Sequence, residues 1–237
     1  ITKFPENFYT TDAFTDHAIE TLQRFAKTGK PFFLHLCFTC PHSPIHAPPG
    51  DIAKYKGRYL AGWDALRRER YARQLEMTLL DPKWKLPGPD PETYDWATSN
   101  QKWEAQRMAV YAAQIDRLDQ NIGRVLAKLK ETGAEENTLV MFLADNGGCA
   151  EEINMGEPGA LPGTKESFTS YGLPWANASN TPFRLYKHWV HEGGISTPLI
   201  AHWPAGIPSR GELRQQPGHL IDIMATCVDV GGASYPA

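Results

Sequence analysis

Apolar residues recur at helical spacing in some stretches of the chain and run together in others. Over 12–28, Phe14, Ala18, Ile19, Leu22, Phe25 and Ala26 form one stripe, which predicts an amphipathic helix with Asp12 as its cap and Gly29 as its stop. Over 103–131, Met108, Tyr111, Ile115, Leu118, Ile122, Val125 and Leu129 alternate steps of three and four, with Arg107, Asp116, Arg117, Asp119, Arg124 and Lys128 off the stripe. Residues 217–230 predict another helix, with Pro217 at its first position and Leu220, Ile223, Met224, Cys227 and Val228 on one face. Within 51–102, Arg67, Arg68, Arg70 and Arg73 read as the solvated face of a further helix. The short apolar runs 32–38, 138–144 and 198–203 predict buried strands, and 149–186, rich in Gly, Pro, Ser and Asn, predicts a long loop.

Helices alternating with short all-apolar strands predict an α/β fold, a mostly parallel sheet with helices on both faces. Ligands of such sheets sit beyond the carboxyl ends of the strands. His42 and His46 follow 32–38; Asp145 and Asn146 follow 138–144; Lys187, His188, His191 and Glu192 precede 198–203. Polar groups able to hold a metal or an anion therefore recur where this architecture places chemistry.

Composition narrows the classes. The 237 residues fit one large domain or two small ones, and 41% hydrophobic with 22% charged residues excludes a disordered chain or a coiled coil. Mean hydropathy is −0.44, and no apolar run reaches the length of a membrane span. Twenty-four basic against 27 acidic residues, a net charge of −3, gives no electrostatic case for nucleic acid. Four cysteines exclude a disulfide scaffold. The start, Ile1-Thr2-Lys3-Phe4-Pro5-Glu6, has no initiator Met and no signal-peptide pattern, so the chain reads as an internal fragment.

Each constellation has two readings. Asp145-Asn146-Gly147-Gly148 offers a carboxylate and an amide oxygen to a hard cation, and equally reads as a turn. His42 lies in a loop stiffened by Pro41, Pro44, Pro48 and Pro49, which would hold its imidazole at low entropic cost; a lone loop His is also an ordinary surface residue. Lys187, ahead of Glu192-Gly193-Gly194, suits an anionic substrate or plain solvation. His35, Cys37, Cys40 and His42 carry zinc-type ligands, but two lie within a predicted strand, so packed cysteines are the preferred reading. Asn177-Ala178-Ser179 fits a glycosylation sequon. Trp175, Trp189 and Trp203 suit sugar stacking or burial.

Taken together, the chain resembles a formylglycine-dependent sulfatase of the alkaline phosphatase superfamily. The resemblance rests on Phe8-Tyr9-Thr10-Thr11-Asp12, Cys40-Pro41-His42-Ser43-Pro44-Ile45-His46-Ala47-Pro48, and Ile115-Asp116-Arg117-Leu118-Asp119 with Ile122-Gly123. It continues through Leu143-Ala144-Asp145-Asn146-Gly147-Gly148, Lys187-His188-Trp189-Val190-His191-Glu192-Gly193-Gly194-Ile195 and His219-Leu220-Ile221-Asp222-Ile223-Met224. These pieces run in order through nearly the whole chain.

The resemblance implies that Asp145 and Asn146 ligate calcium, with magnesium as the alternative. It implies that Lys187 binds the sulfate group, that His42 contacts the ester and acts as acid toward the leaving oxygen, and that His46 is a substrate-binding residue beside them. It also implies an extracellular or periplasmic setting and a sulfated small molecule or glycan as substrate. The family's nucleophile, a formylglycine made from the Cys of a Cys-x-Pro-Ser-Arg motif, has no counterpart here: the only Pro-Ser-Arg is Pro208-Ser209-Arg210, with Gly206 in the cysteine's place. On this reading residues 1–237 are a partial sulfatase catalytic domain. Its nucleophile, second Lys and His and remaining cation ligands lie upstream, its C-terminal subdomain lies downstream, and the chain alone is inactive. A phosphate mono- or diester hydrolase of the same superfamily, or a non-catalytic binding homologue, are the alternatives.

Overall fold

The computed structural model describes residues 4–234. The chain divides into two units, Ile1–Gly206 and Ile207–Ala237.

The first unit opens with α1 (Thr10–Ala26), followed by α2 (Pro49–Tyr55), α3 (Trp63–Glu76) and the long α4 (Gln101–Glu131). Strand β1 (Val140–Leu143), α5 (Leu173–Ser179), the single-turn α6 (Glu192–Ile195) and β2 (Leu199–His202) complete it. Helices α1 and α2 both pack on α4, and α3 packs on α5. Helix α1 starts two residues earlier than predicted, after an extended Tyr9 that gives no side-chain cap. Asp12 is not the cap. Its two carboxylate oxygens take a fork from Arg117, at 2.7 and 2.5 Å, and a further bond from Asn121 at 2.7 Å, which locks α1 across α4. Burial alone would raise the Asp12 pKa; the hydrogen bonds from Arg117 and Asn121 outweigh it and hold the carboxyl below its usual range.

The long helix is as predicted in extent, but its buried face is rotated. Met108, Leu118 and Leu129 of the predicted stripe are buried, whereas Ile115 is 43% exposed. The face that packs carries Glu104, Arg107, Val110, Ala113, Gln114 and Asn121, several of them polar. Arg107, expected off the stripe, is 2% exposed. Its guanidinium donates to Glu104 at 3.1 Å, Glu152 at 2.9 Å and the Ser170 carbonyl at 2.9 Å. Tyr94 and Trp175 also donate to Glu104, so the buried ion pair is closed by hydrogen bonds on every side. Arg67 likewise departs from the solvated-face reading: it is buried and donates to the carbonyls of Pro87 and Gly88. A hydrophobic pattern scores an arginine as outward, but a guanidinium with carbonyl and carboxylate partners can be buried.

The core where α3, α4 and α5 meet is aromatic. Trp63 and Trp175 are buried and cross edge-to-face at 5.5 Å, and Trp96 meets the same two rings at 4.8 and 5.9 Å.

The strands differ most from expectation. Strands β1 and β2 pair antiparallel, Val140 opposite His202 and Leu143 opposite Leu199, where the pattern predicts parallel pairing. An all-apolar run reports burial, not direction; direction depends on how the connection returns the chain. Here the connection is 144–198, which carries only the short α5 and α6. Residues 32–38 are extended and alternate between exposed and half-buried, but they join no ladder among the described residues, so they are not assigned as a strand. Phe33 is 66% exposed. The predicted loop 149–186 contains α5 and a bridge between Asn154 and Thr169.

The second unit contains α7 (Leu220–Val230), which starts at Leu220 with His219 as its cap rather than at Pro217. The His219 ring accepts from the Ile221 amide while Asp222 accepts from the His219 amide, a reciprocal cap.

Candidate active site

Three segments build the site: the proline-rich loop after 32–38, the turn after β1, and the loop 184–194 ahead of β2. In the first, His42 Nδ1 lies 2.8 Å from the Ser43 carbonyl and Nε2 lies 3.4 Å from Lys187 Nζ. A carbonyl can only accept, so Nδ1 carries the proton and Nε2 takes a hydrogen from the Lys187 ammonium. Two residues 145 positions apart thus meet at their functional atoms.

The loop that carries Lys187 is closed at its neck, where the Gly193 amide donates to the Arg184 carbonyl at 2.9 Å. Inside it, Leu185 and His188 both take left-handed backbone conformations, at φ 63° and 79°. A side chain in that region costs about 1–2 kcal/mol. Tyr186 and Lys187 stand between these two bends.

The turn 145–148 is fastened to this loop. The Lys187 amide donates to the Gly148 carbonyl and the Gly147 amide to the Gly194 carbonyl, both at 3.0 Å. Glycine is required here by proximity: a Cβ on Gly147 would overlap the Gly193 carbonyl, and one on Gly148 would meet Tyr171 and Asn180. Asn180 at the end of α5 ties the pieces together. Its oxygen accepts from the Gly148 amide at 2.8 Å, and its nitrogen donates to the carbonyls of Leu185, at 2.9 Å, and Gly193, at 2.8 Å.

Asp145 makes no hydrogen bond or ion pair among the described residues. Asn146 spends its amide nitrogen on the Gly147 carbonyl at 2.7 Å, which leaves its oxygen free to accept. A carboxylate and a free amide oxygen side by side are the donor types a calcium or magnesium ion takes. Among the described residues no group of three or more His, Cys, Asp or Glu side chains is arranged to hold a metal, and calcium takes about six to eight oxygens, so these two alone would fill only part of such a shell.

His46 is placed differently. Its Nε2 lies 2.8 Å from the Ser167 carbonyl, and its own carbonyl accepts from Tyr9 at 2.9 Å. The contacts of His46 tie two loops together and do not include His42 or Lys187. None of the four cysteines is in a disulfide. Cys40 donates to the Gln114 carbonyl, and burial pushes its thiol to about 12, which leaves it inert.

Two further members went unread in the sequence. Glu151 lies 3.9 Å from Lys187 Nζ and 3.1 Å from His188 Nε2, through the same oxygen. Hydrogen bonds from His188 and Cys149, with the charge of Lys187, hold its carboxyl below the usual range. Asn180 is the other. Neither has a sequence signal, because a positioning residue is defined by atoms it meets only after folding.

Fold and site together define an α/β protein with a Lys–His pair beside an oxygen-rich turn. A family model described as Sulfatase matches residues 2–233, and the chain belongs to the sulfatase family. It is similar to an arylsulfatase of Klebsiella aerogenes, 33% identical over 96% of this chain and 52% of that protein. An uncharacterized sulfatase of Schizosaccharomyces pombe is also 33% identical, over 98% of this chain and 44% of that one. The chain therefore spans about half the length of the curated relatives it matches. Among solved structures it resembles Ps i-CgsB in complex with k-i-k-neocarrahexaose (TM-score 0.62, 22% identity, 99% of this chain and 36% of that one). It also resembles a phosphonate monoester hydrolase from Silicibacter pomeroyi (TM-score 0.57, 24% identity, 96% and 39%). The likeness to these two structures is one of fold.

Proposed function

We propose that the protein containing these residues hydrolyses sulfate esters of small molecules or glycans, and that 1–237 form the middle of its catalytic domain. The observation that carries this reading is the convergence of Lys187 and His42, with the Lys187 loop bonded to the Asp145–Gly148 turn. The exposed apolar residues of β1, β2 and 32–38 support a larger sheet completed by further strands.

Lys187 holds the sulfate group by its charge and donors, and stabilises the charge that builds as the ester bond breaks. His42, whose Nε2 lies beside the Lys187 ammonium, acts in its protonated form as the acid that gives a proton to the leaving oxygen. Asp145 and Asn146 hold calcium, or magnesium, through their free oxygens. That ion supplies charge stabilisation at the sulfate, and a formylglycine outside these residues supplies the nucleophile.

In the full-length protein, Lys187→Ala is expected to lower kcat/KM for 4-nitrophenyl sulfate about 10²–10³-fold. Asp145→Ala is expected to make activity dependent on added calcium. Faster turnover of 4-nitrophenyl phosphate or of a phosphonate monoester than of the sulfate would assign the site to phosphorus esters instead. The 237 residues alone are expected to turn over none of them.

A further inference from the structure

At the neck of the loop that carries Lys187 lies a cavity of about 510 Å³, a volume ordinary for a small-molecule site. Its lining includes neither Lys187 nor His42. Trp84 and Lys85 form one wall, Phe183 and Arg184 a second, and His191 and Glu192 a third. One helix sets the first two walls. On α3, Tyr71 donates to the Trp84 carbonyl at 2.8 Å, and Gln74, one turn further along the same face, donates to the Thr181 carbonyl at 3.0 Å. The bond from the Gly193 amide to the Arg184 carbonyl holds the third wall against the second. The cavity is thus built without a ligand, and little ordering opposes its filling.

The lining combines rings with unspent charge. The rings of Trp84 and Phe183 meet at 6.2 Å, tilted by 58°, and form a corner that suits a flat ring. Trp84 is 42% exposed, so part of that corner is open. Each ring is followed in the chain by a cation, Lys85 and Arg184, and the Arg184 guanidinium has no partner among the described residues. Two cations against the single carboxylate of Glu192 favour an anion, and the guanidinium fork matches a carboxylate. Glu192 can in turn accept from a hydroxyl on the ligand's ring.

We propose that this cavity is a ligand site separate from the Lys187–His42 pair, that it takes a hydroxylated aromatic carboxylate, and that filling it tunes the ester site. Arg184 and Glu192 stand on either side of Lys187 in the chain, so a ligand that spans them clamps the loop at its neck and stiffens it. The ligand site is independent of the sulfatase reading; its effect on turnover rests on that reading.

Calorimetry on the full-length protein tests the site with 4-hydroxybenzoate, with benzyl alcohol as a neutral ring and acetate as a ringless anion. 4-Hydroxybenzoate is expected to bind about 10-fold or more tightly than either. Trp84→Ala and Arg184→Gln should each weaken it about 3- to 10-fold, the worth of one ring contact or one charged hydrogen bond. Both side chains are exposed, so the melting temperature should hold. Lys187→Ala should leave the affinity unchanged. With 4-nitrophenyl sulfate as substrate, saturating 4-hydroxybenzoate should lower KM about 5-fold, and Arg184→Gln should need correspondingly more of it. Affinity lost in Lys187→Ala but kept in Trp84→Ala and Arg184→Gln places the anion on the lysine and overturns the inference. Absent binding, or equal binding of acetate or benzyl alcohol, overturns it as well. An unchanged KM in an active protein that binds the ligand overturns the tuning and leaves the site. Binding as expected in a protein that hydrolyses no sulfate ester overturns the sulfatase reading, and the tuning with it, and again leaves the site.

Discussion

The helices around Trp175 and the strands before and after the site treat apolar residues in opposite ways. Where α3, α4 and α5 meet, Trp63 and Trp175 are 2% and 0% exposed, and even the charges of Glu104 and Arg107 are buried and satisfied. In the two-stranded sheet, Leu199 and Ile200 are 55% and 60% exposed and Phe142 is 42% exposed. The strands, Val140–Leu143 and Leu199–His202, are the more apolar of the two in sequence, yet the more exposed. The difference teaches that the helical region has its packing partners within these residues and the sheet does not, while the functional side chains hang on loops between them.

Substitutions should separate the two regions, and the largest effect should come from the helices. Trp175→Ala removes a ring packed on three other aromatics and is expected to cost about 3–5 kcal/mol, enough to prevent folding of a marginal domain. Chemical denaturation of the 237-residue chain measures it; a loss under about 1 kcal/mol would mean the aromatic cluster is not the stabilising core. Gly147→Ala, at the junction of the two regions, forces a methyl into the Gly193 carbonyl and is expected to cost about 1–3 kcal/mol. The exchange protection of the Lys187 amide should fall with it.

The acid limb of stability gives a finer contrast. Asp12 has a lowered pKa in the folded state, so its contribution is present above the unfolded value of about 3.9 and is lost as pH falls through the lower folded value. Asp12→Asn should therefore flatten the stability profile below about pH 4, and an unchanged profile would remove the Arg117 fork from the account. The smallest effect belongs to the strands. Ile200→Ser in the isolated chain is expected within about 0.5 kcal/mol of the parent, because the side chain already faces solvent. A loss of 2 kcal/mol there would show that the sheet is covered after all.

Helix positions were legible because periodicity survives folding: α1 and α4 lie within two residues of where Phe14–Ala26 and Met108–Leu129 place them. The faces were less so, because Thr11, Thr15 and Arg107 are buried through hydrogen bonds that hydropathy does not score. Strand direction was illegible, since Val140 to Leu143 reads the same whichever way its neighbour runs. At the site, His42 and Lys187 were singled out by chemical type and family resemblance, and the fold brings their side chains to 3.4 Å. His46 is turned to Ser167, a role no motif distinguishes from ligand binding. Asn180 and Glu151 were invisible for a different reason: their partners are main-chain atoms or side chains brought close only by loop closure.

Asn180 has a consequence for how ligands are felt. One amide group holds the Gly148 amide on the Asp145–Gly148 turn and two carbonyls of the lysine loop. Segments pinned to a common pivot are ordered together, so on the proposed assignment a cation seated at Asp145 and Asn146 would already immobilise much of what an anion at Lys187 needs. The two ligands become heterotropic partners. Whatever factor the cation adds to anion affinity, the anion returns to the cation, and a side chain that touches neither ligand sets the size of that factor.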